Sequence, residues 1–216
     1  MSAYRDLYRA FPWREEQAPY GLFVAEYLLQ KTMADRVVPV WTEVVRDWPD
    51  LQALSGADLD ALQRALCSLG INKRASRLIN AAGLLIASGF TDVPPDVDVL
   101  ASLPGLGSYG VSALMSFAFD RPTLVVDVNA GRLYARFTGI RCQTLRQSLE
   151  VARTCGEAIL TPRNHRRVNY GMLDLCAQVC TARQPKCEVC PLRSGCDYAA
   201  IVRGLTRAST RQRRVR

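Results

Sequence analysis

Four cysteines in one short segment are the residues whose types and spacing most clearly indicate chemistry in this chain. They lie in the run CTARQPKCEVCPLRSGC, where successive cysteines are separated by six, two and five residues. The four are Cys180, Cys187, Cys190 and Cys196. Thiolates so close together along a chain can surround one metal centre. The segment therefore predicts a metal or iron–sulfur site.

Three kinds of centre compete for such a segment. Structural zinc usually takes two separated Cys-x-x-Cys pairs, whereas this segment holds one, from Cys187 to Cys190. Four-iron clusters take four cysteines, often from one compact run, so the spacing favours a [4Fe-4S] cluster over zinc. Disulfides fit poorly, because the N-terminal run MSAYRDLYRAFPWR lacks the apolar stretch of a signal peptide. We therefore expect a reducing, cytoplasmic location.

The other cysteines lie in apolar stretches with helical spacing. They are Cys67, Cys142, Cys155 and Cys176. Free cysteines in such surroundings usually behave as small buried hydrophobic residues. We therefore expect these four in the core.

The composition is that of a globular protein with an anionic partner. Hydrophobic residues make up 49% of the 216 residues, enough for one domain or two closely joined lobes. No apolar run approaches the roughly 20 residues that span a bilayer. The net charge is +8, carried mostly by arginine, which can bind phosphate through two parallel hydrogen bonds. Six of the last fourteen residues are arginine, so we expect a disordered, solvated end there, within a basic tail over 199–216.

Helical spacing dominates the chain, and no run alternates as a β-strand would. Apolar residues recur with a helical period in the stretches 21–32, 37–48, 57–70, 73–89, 108–119 and 128–140. Proline and glycine separate these stretches. The sequence therefore predicts an all-α protein.

A turn between two of these helices could bind a phosphate. In the run Leu103-Pro104-Gly105-Leu106-Gly107, the proline helps to end one helix and the glycines allow unusual φ angles. The next helix begins near Ser108, so its first backbone N–H groups face out of the turn. A helix-hairpin-helix of this kind can hold a DNA phosphate without reading a base. A plain turn between two core helices is the alternative.

Two carboxylates stand in unusual places. Asp127 follows an apolar run twenty residues after Gly107, where it is either a helix N-cap or a reactive group. Glu26 lies within the apolar run VAEYLLQ. A carboxyl group with such neighbours is not expected on an ordinary solvated face.

Two longer runs carry a family resemblance. LPGLGSYGVSALMSFAFDRPTLVVDVNAGRLYAR, followed by the four-cysteine segment, resembles the helix-hairpin-helix DNA glycosylase superfamily. FPWREEQAPYGLFVAEYLLQKT resembles its MutY and Mig branch. The resemblance extends from about Phe11 to Tyr198 and implies two α-helical lobes with the active site in the cleft. One lobe would be a helical barrel over 19–123, and the other would join 1–18 to 124–198 and carry the [4Fe-4S] cluster.

The resemblance also implies roles for individual residues. Asp127 matches the essential aspartate of the family, and Glu26 matches a glutamate of the base pocket. Tyr109 falls where endonuclease III has its Schiff-base lysine, so we expect base excision without strand cleavage, with Lys31 and Lys73 as the nearest other amines. Contacts with DNA, including a gap-filling glutamine and a wedge side chain, are expected from Gln30, Lys31, Ile71, Gly105, Gly107 and Ser108.

The function implied by the resemblance is a monofunctional DNA glycosylase of base excision repair. We expect it to remove thymine or uracil opposite guanine in double-stranded DNA. Two features resemble Mig-like enzymes more than MutY: only about twenty residues follow Cys196, and residues 127–129 read Asp-Val-Asn rather than Asp-Gly-Asn. Adenine removal from A:G or A:8-oxoguanine pairs is the alternative within the family.

A non-catalytic DNA-binding or redox-sensing iron–sulfur protein is the alternative of another class. Two carboxylates near a phosphate-binding cleft argue against it, because each would repel DNA. We expect a monomer that is associated with the nucleoid and not with a membrane.

Overall fold

The computed structural model describes residues 7–15, 18–70, 73–202 and 204. Every regular element in these residues is a helix, which confirms the all-α prediction. Each of the six stretches predicted to be helical contains a helix. None of the described helices has the length and apolar character needed to cross a membrane.

The chain divides into two compact units. The first unit comprises residues 10–121, and the second joins residues 1–9 to 122–216. The predicted lobe boundary at residue 19 therefore differs from the observed boundary. Residues 10–18 belong to the first unit because Phe11 and Trp13 are buried in it, and the ring of Trp13 meets that of Trp41 edge-on at a centroid distance of 6.0 Å.

The first unit is built around one buried helix. Its described helices are α1 (Pro12–Glu15), α2 (Pro19–Leu28), α3 (Ala34–Asp47), α4 (Leu51–Ser55), α5 (Leu59–Leu66), α6 (Arg74–Ala87), α7 (Val97–Ser102) and α8 (Ser108–Phe117). Every residue of α2 after Pro19 is buried, and α2 packs against α1, α3, α6 and α8. A helix that is apolar on all sides belongs in the middle of a core. Glu26 is the exception in that apolar sequence.

Acidic residues define where the short helices of the first unit begin. Asp50, Asp58 and Asp96 each accept hydrogen bonds from backbone N–H groups in the first turn of α4, α5 and α7. A side chain at this position satisfies donors that have no partner within the helix. Helices of five to eight residues are marginal alone, and these caps help to fix them.

The second unit packs three helices around α9. Its described helices are α9 (Val128–Thr138), α10 (Leu145–Glu157), α11 (His165–Gln178) and α12 (Asp197–Val202). The last three were not among the stretches predicted from the sequence. Backbones of α9 and α10 approach closely, since a Cβ on Gly131 would lie 2.8 Å from the Ser148 hydroxyl oxygen. Leu133, Met172 and Leu175 contribute to the core between α9 and α11.

The N-terminal segment belongs to the second unit through α11. The Arg9 side chain forms an ion pair of 2.9 Å with Asp174, which is fully buried. The Gln178 amide donates a hydrogen bond of 2.5 Å to the carbonyl oxygen of Leu7. Because a buried carboxylate without a partner is costly, the pair with Arg9 stabilises the docking of residues 7–9.

Two expectations about burial were wrong in part. Of the four cysteines expected in the core, Cys67 is exposed in a 3-10 turn, Cys142 and Cys155 are half-buried, and Cys176 is buried. The start of the predicted basic tail belongs to α12, where Ala199 is buried and the helix packs against α9.

Candidate active site and cysteine centre

Glu26 is a buried acid in the middle of α2. The residue is 6% exposed, and burial raises the pKa of its carboxyl group to about 8. No hydrogen bond joins this carboxyl group to any residue in the described part of the chain. Burial without a compensating partner favours the neutral form of a carboxyl group. At neutral pH the Glu26 carboxyl group is therefore mostly protonated and can donate a proton.

The hairpin places small, exposed residues ahead of α8. Gly105 has a φ of +88°, as the turn requires, whereas Gly107 has an ordinary φ of −81° and is the N-cap of α8. The expectation of an unusual φ was therefore wrong for Gly107. A Cβ on Gly107 would meet nothing within 4 Å, so the turn is open on that side. The first-turn amides of α8, beginning with exposed Ser108, face an approachable surface.

Side chains from the end of α2 hold the hairpin in place. The Tyr27 hydroxyl donates a hydrogen bond of 3.1 Å to the carbonyl oxygen of Pro104. The Gln30 amide donates one of 2.8 Å to the carbonyl oxygen of Gly105. Gln30 is thus attached to the hairpin rather than simply solvated.

A fully buried arginine organises the loop after α2, and sequence reasoning missed it. Arg74 donates hydrogen bonds to the carbonyl oxygens of Leu28 (2.9 Å) and Gln30 (2.7 Å) and to the Thr32 hydroxyl (2.9 Å). This loop carries exposed Lys31, whose φ is +53°. The neighbours of Arg74 include Lys73, Ser76 and Arg77, which are polar, so the local sequence did not signal its burial. Ile71, the expected wedge residue, lies outside the described residues.

Tyr109 is the second residue of α8 and is half-buried. Its neighbour Gly110 lies beside Glu26, since a Cβ on that glycine would be 3.7 Å from Glu26 Oε2. The same Cβ would collide with Leu106 at 2.5 Å. The start of α8 therefore lies beside the buried acid. Glu26, Tyr109, Gln30 and the hairpin all belong to the first unit.

Asp127 is the N-cap of α9 in the second unit. Its Oδ1 accepts hydrogen bonds from the backbone N–H groups of Asn129 (2.9 Å) and Ala130 (2.8 Å). Its Oδ2 accepts one of 2.6 Å from the Asn129 side-chain amide. Asp127 is therefore a helix cap, and three donors hold its carboxylate in one orientation.

A chain of hydrogen bonds leads from Asp127 to the first cysteine of the segment. The Asn129 amide oxygen accepts a bond of 2.9 Å from Arg132 Nη1. Arg132 also donates through Nε (3.2 Å) and Nη2 (2.9 Å) to the carbonyl oxygen of Cys180. This connection could not be predicted from local sequence, because 48 residues separate Arg132 from Cys180.

The four cysteines line one pocket in the second unit. Cys180 follows α11, Cys187 opens a 3-10 turn, Cys190 ends it, and Cys196 precedes α12. No three His, Cys, Asp or Glu side chains in the described ranges are grouped to hold a single metal ion. The thiols thus line the pocket without meeting at one point.

Cationic and apolar side chains complete this pocket. Arg136 Nη1 lies 3.5 Å from Cys180 Sγ and 2.7 Å from the carbonyl oxygen of Thr181. The Arg136 guanidinium also stands 4.8 Å from the centre of the Tyr198 ring. Because metal-bound sulfur must be a thiolate, an adjacent guanidinium suits a ligand sulfur. Four thiols with this surrounding fit a cluster that takes one cysteine at each of four positions.

Comparison with known families supports this assignment. Residues 180–196 match the iron–sulfur binding domain of endonuclease III. The cysteine segment is therefore the site of a [4Fe-4S] cluster, which the four thiols that line the pocket would hold. When bound, such a cluster would cross-link the segment through iron–thiolate bonds to these cysteines.

We expect the purified protein to be brown, with a broad visible absorption near roughly 400 nm. Cys187→Ser should reduce this absorption, because one of the four ligands is lost. Cys67→Ser, which changes an exposed cysteine outside the pocket, should leave it unchanged. Zinc at the site, measured by metal analysis of a colourless protein, would contradict the expectation.

Known proteins resemble the chain over most of its length. An adenine DNA glycosylase of Mycobacterium tuberculosis is 36% identical over 194 residues, which are 89% of this chain and 64% of that protein. The chain thus spans 64% of the length of this relative. A thymine-DNA glycosylase of Aeropyrum pernix is 34% identical over 191 residues, 87% of this chain and 86% of that protein.

A solved structure has the same fold. The structure of a thermostable thymine-DNA glycosylase superposes with a TM-score of 0.81 at 26% identity, covering 93% of this chain and 94% of its own. The family model for the HhH-GPD superfamily base excision DNA repair proteins matches residues 24–158, a range that includes Glu26, the hairpin and Asp127. The chain therefore belongs to the HhH-GPD superfamily of base excision DNA repair proteins.

Proposed function

We propose that this protein is a monofunctional DNA glycosylase that removes thymine or uracil opposite guanine in double-stranded DNA. The observation that carries the enzymatic part is Glu26, a buried carboxyl group that has a pKa of about 8 and no hydrogen-bond partner in the described residues. A protein that only binds DNA has no need of a buried acid that destabilises its own fold. Glu26 therefore favours catalysis over simple binding.

The chemistry requires stabilisation of both fragments of the broken glycosidic bond. Neutral Glu26 can donate a proton or a hydrogen bond to the departing base, as a general acid does. Asp127, whose orientation three donors fix, can stabilise positive charge at C1′ and orient the attacking water. The departing base needs an acid that is still protonated at neutral pH, a role that suits Glu26. The sugar needs a carboxylate held in one orientation, a role that suits Asp127.

The hairpin provides a DNA phosphate site on this proposal. Gly105, Gly107 and Ser108 are exposed, and the first-turn amides of α8 suit a phosphate oxygen. Exposed Lys31 and the Gln30 amide lie on the loop that is attached to the hairpin. Extruding a base costs a few kcal/mol, least at a mismatch, and Gln30 can offset part of this cost by filling the vacated space. To fill this space, the Gln30 amide must first break its hydrogen bond to the carbonyl oxygen of Gly105.

Two observations support thymine or uracil as the target. The structure of a thymine-DNA glycosylase superposes on this chain with a TM-score of 0.81 at 26% identity. Residues 127–129 also read Asp-Val-Asn, which resembles Mig-like enzymes more than the Asp-Gly-Asn pattern of MutY. The second candidate is adenine removal, which the 36% identity to the mycobacterial adenine glycosylase favours.

A panel of labelled duplexes decides between these targets. T:G, U:G, A:G and A:8-oxoguanine duplexes are incubated with the protein, and abasic sites are cleaved with alkali. We expect cleavage of the thymine or uracil strand of T:G and U:G. Cleavage of the A:8-oxoguanine duplex alone would assign the protein to adenine removal instead. A panel without any excision would support a DNA-binding protein.

The residue at position 109 predicts the outcome for strand cleavage. A tyrosine hydroxyl cannot form an imine with the sugar, whereas a lysine amine can. With mismatch DNA and borohydride, we therefore expect no trapped covalent adduct, and strand breaks should appear only after alkali. An efficiently trapped adduct would contradict this, and Lys31→Ala or Lys73→Ala would then identify the amine.

A further inference from the structure

The segment that leads to Asp127 is buried without regular structure of its own. Residues 120–127 connect α8 to α9 and form neither helix nor strand. Leu124 and Val125 are nonetheless buried. Buried backbone groups require hydrogen-bond partners, and an extended segment cannot supply them internally. The partners have to come from another element.

One side chain of α11 supplies two such partners. Asn169 is fully buried, and its Nδ2 donates a hydrogen bond of 2.9 Å to the carbonyl oxygen of Thr123. Its Oδ1 accepts one of 3.1 Å from the backbone N–H of Val125. Residues 123 and 125 of an extended chain present these groups on the same side. The amide thus takes the place of a neighbouring strand.

Few side chains can make this pair of bonds. The partner must donate and accept at once from one planar group, which carboxamides and protonated carboxylic acids can do. These bonds fix Val125 against Asn169 of α11. Val125 is two residues before Asp127, so the approach of the chain to Asp127 is fixed as well. The N-cap hydrogen bonds orient the Asp127 carboxylate on α9, whereas Asn169 fixes the path of the chain that enters α9.

We propose that Asn169 is a positioning residue for the carboxylate of Asp127. The inference rests on the proposed function, since it assumes that Asp127 acts on the substrate. Without the amide, the buried N–H of Val125 and the half-buried carbonyl group of Thr123 lose their partners, and residues 123–126 shift to regain them. A displacement of about 1 Å at a reacting group can lower a rate by about 100-fold. The loss should therefore appear in the chemical step and not in DNA binding.

Asn169→Leu tests this directly, because leucine has a similar size but makes no hydrogen bond. Excision from a T:G or U:G duplex, whichever the wild type processes, is measured under single turnover with enzyme in excess, and DNA affinity is measured separately. We expect a rate at least about tenfold lower with affinity within about twofold. Met172→Ala serves as the control, since it removes buried volume from the same helix without removing a hydrogen bond. It should lower thermal stability but leave the single-turnover rate near that of the wild type.

Asn169→Asp separates positioning from simple destabilisation. A protonated aspartic acid can donate to Thr123 and accept from Val125, as the amide does, whereas a carboxylate can only accept. Burial favours the protonated form. The rate of this variant relative to wild type should therefore approach one at pH 5.5 and fall as the pH rises. If the Leu variant does not fold, the Asp variant at pH 5.5 still provides the test.

The possible outcomes separate the inference from the proposed function. If Asn169→Leu excises at the wild-type rate, or if Asn169→Asp at pH 5.5 is as slow as the Leu variant, the positioning role is overturned. The proposed function would still hold in that case, provided that the wild type excises the base and Asp127→Asn does not. If the wild type excises no base from any duplex, the proposed function itself fails.

Discussion

Asp127→Asn should abolish base excision while leaving the fold and DNA binding intact. Asparagine is as good an N-cap as aspartate, so the bonds from the backbone N–H groups of Asn129 and Ala130 can persist. What is lost is the negative charge proposed to stabilise the sugar cation. We expect a single-turnover rate at least about 1,000-fold lower, the upper range for removing one electrostatic group. DNA affinity should stay the same or rise, because one repulsion from phosphate disappears.

A second N-cap aspartate provides the matched control. Asp58 accepts a hydrogen bond of 2.8 Å from the backbone N–H of Ala61 and caps α5 in the first unit. Asp58→Asn makes the same chemical change at a helix without a proposed role in catalysis. Its excision rate should equal that of the wild type. Excision by Asp127→Asn at the wild-type rate would remove Asp127 from the mechanism.

Features carried by short stretches of sequence could be predicted. The spacing of the four cysteines indicates the cluster site, because a single loop supplies all the ligands. The turn from Leu103 to Gly107 indicates the hairpin, because proline and glycine restrict or free the backbone locally. The unusual position of Glu26 was also visible, since its helical neighbours are all apolar. In each case the physical cause lies within a few residues of the signal.

Features that depend on distant partners could not be predicted. Asn169 bonds with residues 44 and 46 positions away, and Arg74 bonds with acceptors more than 40 positions away. A polar residue on a helix is ordinarily solvated, so nothing local marks these two as buried. The same limit explains why Cys67, which is exposed, was wrongly expected in the core. The convergence of Glu26 and Asp127 on one nucleotide stays a prediction, which the two carboxyl variants address chemically.

Glu26→Gln should lower excision and make the protein more stable at alkaline pH. Glutamine keeps the shape of the side chain and a hydrogen-bond donor but cannot transfer a proton. General acids typically contribute about 100-fold or more, so we expect a loss of that order at pH 7. Wild-type excision should itself decline above about pH 8, where Glu26 loses its proton. The Gln variant should lack this decline. Glu43→Gln, a change at an exposed position on α3, should affect neither the rate nor its pH dependence.

The stability of the Gln variant tests the burial of Glu26 without any reference to DNA. The carboxyl pKa is about 8 in the folded protein against an ordinary value of 4.5, so the unfolded chain binds fewer protons between these values. The free energy of unfolding of wild type therefore falls as the pH rises through this window, by up to about 1.4 kcal/mol per unit. Glutamine does not titrate, so the stability advantage of the variant should grow by a few kcal/mol between pH 5 and pH 8. Urea unfolding of both proteins at several pH values measures it. An advantage that does not change with pH would mean that Glu26 ionises normally, and the protein would then have no buried acid to protonate a base.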